Sequence, residues 1–80
     1  MVGVSFRDSA GRPMAGAVIS IASAPSEVHD PAMVADDWGE IVISAPLAGD
    51  YRFLVSHVGR TFHATAHITP GQEQLTVTVD

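Results

Sequence analysis

Histidine and carboxylate chemistry is the first thing this 80-residue chain could support, with four His, nine Asp plus Glu and no Cys. His63 and His67 share one strand parity but lie four residues apart. At about 3.3 Å per residue their Cα atoms stand about 13 Å apart, too far to hold one ion without a ligand from a neighbouring strand, such as His57 or an acid. The simpler role for His63 and His67 is a solvent-facing sheet surface shared with Thr61 and Thr65, and the sequence leaves open any ligand role for the three. Asp36, Asp37 and Glu40 gather round Gly39, but calcium takes roughly six to eight oxygens from acids at alternate loop positions, a pattern missing here. Asp and Gly together suffice for a tight hairpin turn.

Nucleophilic and phosphate chemistry have less to work with. The serines lie in strands or turns, outside any G-x-S-x-G elbow. The absence of Lys and of a G-x-x-x-x-G-K-[ST] loop argues against a phosphate cradle. The expectation is therefore a protein that is not an enzyme and holds no metal or cofactor. Its four basic residues, Arg7, Arg12, Arg52 and Arg60, are scattered, and the formal charge is −5. That balance cannot form the basic patch nucleic-acid binding needs, so nucleic acid is not an expected partner. With no stretch near the ~18 apolar residues of a membrane span and no basic-then-apolar leader, no membrane role is expected either. If Met1 is the natural start, a cytoplasmic location follows.

The elements that would position these groups are strands. Val2, Val4 and Phe6 alternate with Gly3, Ser5 and Arg7 over residues 2–7, and period-two patterning recurs over residues 17–22, 40–45, 51–56, 61–68 and 75–80, with a short run at 32–36. Turn residues punctuate them: Asp8 to Pro13, the proline-bounded segment 25–31, Asp36-Asp37-Trp38-Gly39, Pro46 to Asp50, Gly59 and Pro70-Gly71. Seven short strands cannot bury one apolar face in a single open sheet, so two facing sheets are expected: a single all-β domain over residues 1–80, a seven-strand antiparallel β-sandwich. Parity points Val2, Val4, Phe6, Ala17, Ile19, Ile21, Ile41, Ile43, Tyr51, Phe53, Val55, Phe62, Ile68, Leu75, Val77 and Val79 inward. Each large one contributes roughly 1.5–3 kcal/mol of transfer free energy, before chain entropy is charged.

The punctuation also resembles a known family. Gly11-Arg12-Pro13-Met14-Ala15-Gly16-Ala17-Val18-Ile19, then Val34-Ala35-Asp36-Asp37-Trp38-Gly39-Glu40-Ile41, then Leu47-Ala48-Gly49-Asp50-Tyr51-Arg52-Phe53-Leu54-Val55 resemble, in order and spacing, the motifs of the carboxypeptidase regulatory-like domain. The resemblance spans nearly the whole chain and implies a transthyretin-like (prealbumin-like) Greek-key sandwich serving as a non-catalytic accessory module. Three positions depart from the family pattern. Ala35 stands where Thr is frequent, Ile41 where an aromatic is frequent, and no aromatic follows the glycine of His57-Val58-Gly59-Arg60. The hydrolase branch of that fold ends in Tyr-Arg-Gly-Ser, whereas this chain ends Leu75-Thr76-Val77-Thr78-Val79-Asp80. An enzyme of that branch is disfavoured.

Apolar residues make up 46% of the chain, enough to leave a surplus outside the core. Parity turns Val18, Val42 and Leu54 away from the core, and Trp38 falls in a turn. Together they suggest an apolar face that docks a protein partner or a neighbouring domain. The run 75–79, uncharged and β-rich, would offer a second route by strand pairing if it lay at a sheet edge. A carbohydrate or small-ligand binder is the alternative, with Trp38 and Tyr51 as stacking groups, although Tyr51 falls on the core parity. Oligomeric state is left open by the sequence.

Overall fold

A computed structural model describes residues 1–25, 32–43 and 47–79. The described residues form seven strands and no helix: β1 (Val2–Arg7), β2 (Val18–Ser23), β3 (Met33–Val34), β4 (Glu40–Ile43), β5 (Gly49–His57), β6 (Arg60–Ile68) and β7 (Gln74–Thr78). They make two sheets, one of three strands in the order β4-β1-β7 and one of four in the order β3-β2-β5-β6. Both sheets feed one apolar core. The Phe6 ring of the three-stranded sheet meets the Phe53 ring of the four-stranded sheet edge to face, with centroids 5.3 Å apart.

Every residue that parity turns inward is buried or packs on that core. Met14, Ala35 and Ala64 join it. Met14 is absent from the alternation because it lies in no regular strand. Its N–H donates to the Phe6 carbonyl at 2.9 Å, which folds the chain back over the end of β1 and pushes the side chain inside. Ala35 lies just past β3, where its N–H reaches the Ala17 carbonyl at 2.8 Å.

The sandwich is not the wholly antiparallel one expected from the sequence. β1 and β7 pair in parallel, from Gly3 opposite Gln74 to Arg7 opposite Thr78. Alternation reports which face a residue takes and carries nothing about strand direction. A parallel neighbour needs a long connection, and here the whole chain between first and last strands supplies it. The element ends also differ. The third strand shrinks to two residues, β5 extends to Gly49 and His57, and β2 carries an irregularity between Ile21 and Ser23. Most of the proline-bounded segment, the end of the fourth expected strand and Asp80 lie outside the described residues.

One local device is used twice. In Asp8-Ser9-Ala10-Gly11-Arg12 the Asp8 carboxylate accepts from the N–H groups of Ala10 and Arg12, both at 2.9 Å. In Asp36-Asp37-Trp38-Gly39-Glu40 the Asp36 carboxylate accepts likewise from Trp38 and Glu40, both at 2.9 Å. In each turn the backbone of the Asp also pairs with the residue four on, and a glycine in the fourth position takes a positive φ, 82° at Gly11 and 73° at Gly39. A side-chain oxygen that satisfies two turn donors makes Asp the residue of choice there. The glycines differ in their surroundings. A Cβ on Gly11 would meet nothing within 4 Å, whereas one on Gly39 would lie 2.6 Å from the Phe6 carbonyl oxygen and 2.8 Å from the Met14 nitrogen.

Two substitutions separate these effects. Gly11→Ala is expected to cost only the left-handed backbone penalty, about 1–2 kcal/mol. Gly39→Ala adds a backbone clash and is expected to cost about 2 kcal/mol more. Urea denaturation midpoints measure both, and equal losses would contradict the close approach.

Candidate functional site

The strand registers lay out the outer face of the four-stranded sheet row by row. Val34, Val18, Ser56 and Thr61 stand side by side across β3, β2, β5 and β6. The next outward row is Ser20, Leu54 and His63, followed by Ser23, Arg52 and Thr65, then Asp50 and His67. One corner of this face is apolar. Val18 is 41% exposed and Val34 68%, while Leu54, diagonal to Val18, is half-buried.

The four residues that the sequence marked for a partner therefore do not form one patch. Val18 and Leu54 share the face just described. Val42, 50% exposed, lies on β4 opposite Gly3, on the outer face of the other sheet. The two outer faces of a sandwich are separated by its whole core, which parity along single strands cannot reveal. Trp38, 70% exposed, caps the turn between β3 and β4, held there by the Asp36 carboxylate on its N–H. Among the described residues four exposed large apolar residues went unmarked: Met1, Val34, Leu47 and Val58. Val34 sat in a run too short for alternation to assign. Val58 occupies the β5–β6 hairpin tip, where its sequence signal was a β-branched residue preceding Gly59.

Val58 is the only described non-glycine residue with positive φ, 49°, followed by Gly59 at 72°. His57 pairs with Arg60, so Val58 and Gly59 are the two central residues of a tight hairpin turn. That turn asks for positive φ at both places and favours Asn-Gly. A β-branched residue there is strained, and its side chain is 84% exposed, so no core contact offsets the strain.

The histidines take separate positions. His63 and His67 stand exposed on the outer face of β6, as their parity implied. The His57 ring nitrogen Nε2 lies 3.2 Å from the Ala15 carbonyl. His67 Nδ1 meets Asp50 Oδ1 at 2.8 Å, both side chains being exposed. Such an exposed pair adds little to stability. Among the described residues no group of three His, Asp or Glu could hold a metal ion. In the acidic cluster Asp36 accepts from two turn amides and Glu40 from the Ser5 hydroxyl at 3.3 Å.

The Asp50–His67 pair borders an open depression of about 660 Å³ that also takes in Ser23, Arg52 and Thr65. A serine, a histidine and an aspartate meet there, but not as a catalytic set. Ser23 on β2 and His67 on β6 are two strand spacings apart, about 10 Å, with β5 between them. No hydrogen bond joins them among the described residues, and a nucleophile needs one to its base. Tyr51 is buried, and its hydroxyl donates to the Leu47 carbonyl at 2.7 Å. Burial pushes its pKa above the ordinary value, so it stays protonated as a core residue.

The fold defines a two-sheet, all-β, sandwich-like protein. No family model matches the chain, and no curated protein matches it.

Relieving the tip strain tests its reality. Val58→Asn is expected to raise stability by up to about 1 kcal/mol, since Asn enters the left-handed region more readily. A lower denaturation midpoint would show that Val58 makes a contact worth more than the strain.

Proposed function

We propose that this protein is a non-catalytic accessory or adaptor module that docks a protein partner through the outer face of its four-stranded sheet. The observation that carries the reading is the exposed Val34–Val18 cross-strand pair, extended by Leu54, on a face otherwise made of Ser, Thr, His, Arg and Asp. An antiparallel sheet normally shows water a polar face, and contiguous apolar side chains there mark an interaction surface. Chemistry finds no support on the same face, because Ser23 and His67 are held apart. The motif order set out above supports placing the domain with the carboxypeptidase regulatory-like, transthyretin-like sandwiches, whose members serve as accessory modules.

A glycan reading would want an aromatic platform beside polar groups. Trp38 lies by the ends of β1 and the start of β2, whereas the polar depression lies where β5 begins and β6 ends. The protein-docking reading is therefore preferred.

Charge placed on the two outer faces discriminates. The double substitution Val18→Lys and Val34→Lys is expected to abolish capture of the partner from the source cell, with circular dichroism unchanged. Val42→Lys, on the opposite face, is expected to leave capture intact. Loss with Val42→Lys alone would move the docking surface to the three-stranded sheet.

A further inference from the structure

β7 lies at the edge of the three-stranded sheet, with β1 on one side and, among the described residues, no strand on the other. The hydrogen bonds identify the groups left over. Glu73 accepts from Gly3 and Val79 donates to Arg7, so the odd-numbered residues of this strand turn their backbone polar groups toward β1. Backbone direction alternates along a strand, so Gln74, Thr76 and Thr78 turn N–H and C=O to the open side, where the Gln74 carbonyl already accepts from the Gln72 side-chain amide at 3.0 Å. Beyond that one amide cap, the devices that usually blunt such an edge are missing from the strand. Gln74–Thr78 has no charged residue and no proline, and its register with β1 is regular. On the same side of the molecule β6 ends the other sheet, and Phe62, Ala66 and Leu75 are only partly buried against the core.

We infer that β7 pairs with β7 of a second copy of this chain, antiparallel about a two-fold axis at Thr76, joining the two three-stranded sheets into one. The occupant follows from self-complementarity. With Thr76 opposite the partner's Thr76, Gln74 falls opposite the partner's Thr78 and Leu75 opposite the partner's Val77. Residues whose backbones face outward then meet as hydrogen-bonded pairs, the Gln72 amide giving up the Gln74 carbonyl, and apolar side chains meet apolar ones on the core side. Glu73 falls opposite the partner's Val79, so the acidic residue never confronts its own copy despite a chain charge of −5. The pairing is isologous and closes, giving a dimer and not a fibre. It also brings a second copy against the side where Phe62, Ala66 and Leu75 remain part-exposed. The inference is independent of the face-docking reading, because β7 belongs to the opposite sheet.

Light scattering on the full chain, eluted from a sizing column across low to high micromolar concentration, tests it. A dimer of 16.8 kDa, twice 8.4 kDa, is expected at the upper end. Thr76→Pro deletes an outward N–H without touching the β1 ladder and is expected to weaken dimerisation at least tenfold with circular dichroism unchanged. Should that variant misfold, Thr76→Lys decides. It sets like charges opposite each other across the axis, and is expected to dissociate the dimer at low salt and partly restore it at high salt. A wild-type chain that stays at 8.4 kDa at every concentration overturns the inference. So does a dimer indifferent to Thr76→Lys.

Discussion

Phe6 is the residue on which the rest of the structure depends. Its ring meets Phe53 edge to face across the core, at an interplanar angle of 86°. Its N–H donates to the Gly39 carbonyl at 2.8 Å, and its carbonyl accepts from Met14 at 2.9 Å. One residue thus ties together the two sheets, the Asp36–Gly39 turn and the segment that carries Met14 into the core. The constraint explains why residue 39 is glycine, since the Phe6 carbonyl occupies the space a Cβ would need. Tyr51 stacks beyond Phe53 with centroids 6.2 Å apart, extending the aromatic row within the four-stranded sheet.

Because the core is shared so completely by the inner faces, what remains for function is outside it. The two outer faces are unlike. That of the three-stranded sheet carries Glu40 laid over Gly3, hydroxyls, and Val42 by itself. That of the four-stranded sheet grades from an apolar corner at Val34 and Val18 to a polar end at Asp50 and His67. Among the described residues β7 also has no strand beside it on the side away from β1. A small domain without disulfides has little stability to spare, yet here it keeps a strained, exposed valine at position 58.

Period two was enough to read the core from the amino-acid sequence, because each strand buries one face and the pattern of Val, Ile and Phe records which. It failed at Met14, which is buried by a backbone hydrogen bond between non-adjacent segments that leaves no periodic trace. It also failed for the candidate surface. Val18, Leu54 and Val42 were all correctly turned away from the core, but which sheet each belongs to depends on pairing partners, and those are long-range. Strand direction was invisible for the same reason, hence the parallel β1–β7 pair. The Asp-x-x-Gly turns were legible as turns, and the amides that Asp8 and Asp36 hold give each turn a local reason for its leading Asp.

The claim that two sheets share one core through Phe6 is tested most directly by a double-mutant cycle. Phe6→Leu, Phe53→Leu and the combined variant would be compared by denaturant unfolding at equilibrium. The edge-to-face contact predicts a coupling energy of about 0.5–1.5 kcal/mol between the two rings. Strictly additive losses would contradict it, and with it the sandwich on which both outer surfaces are defined.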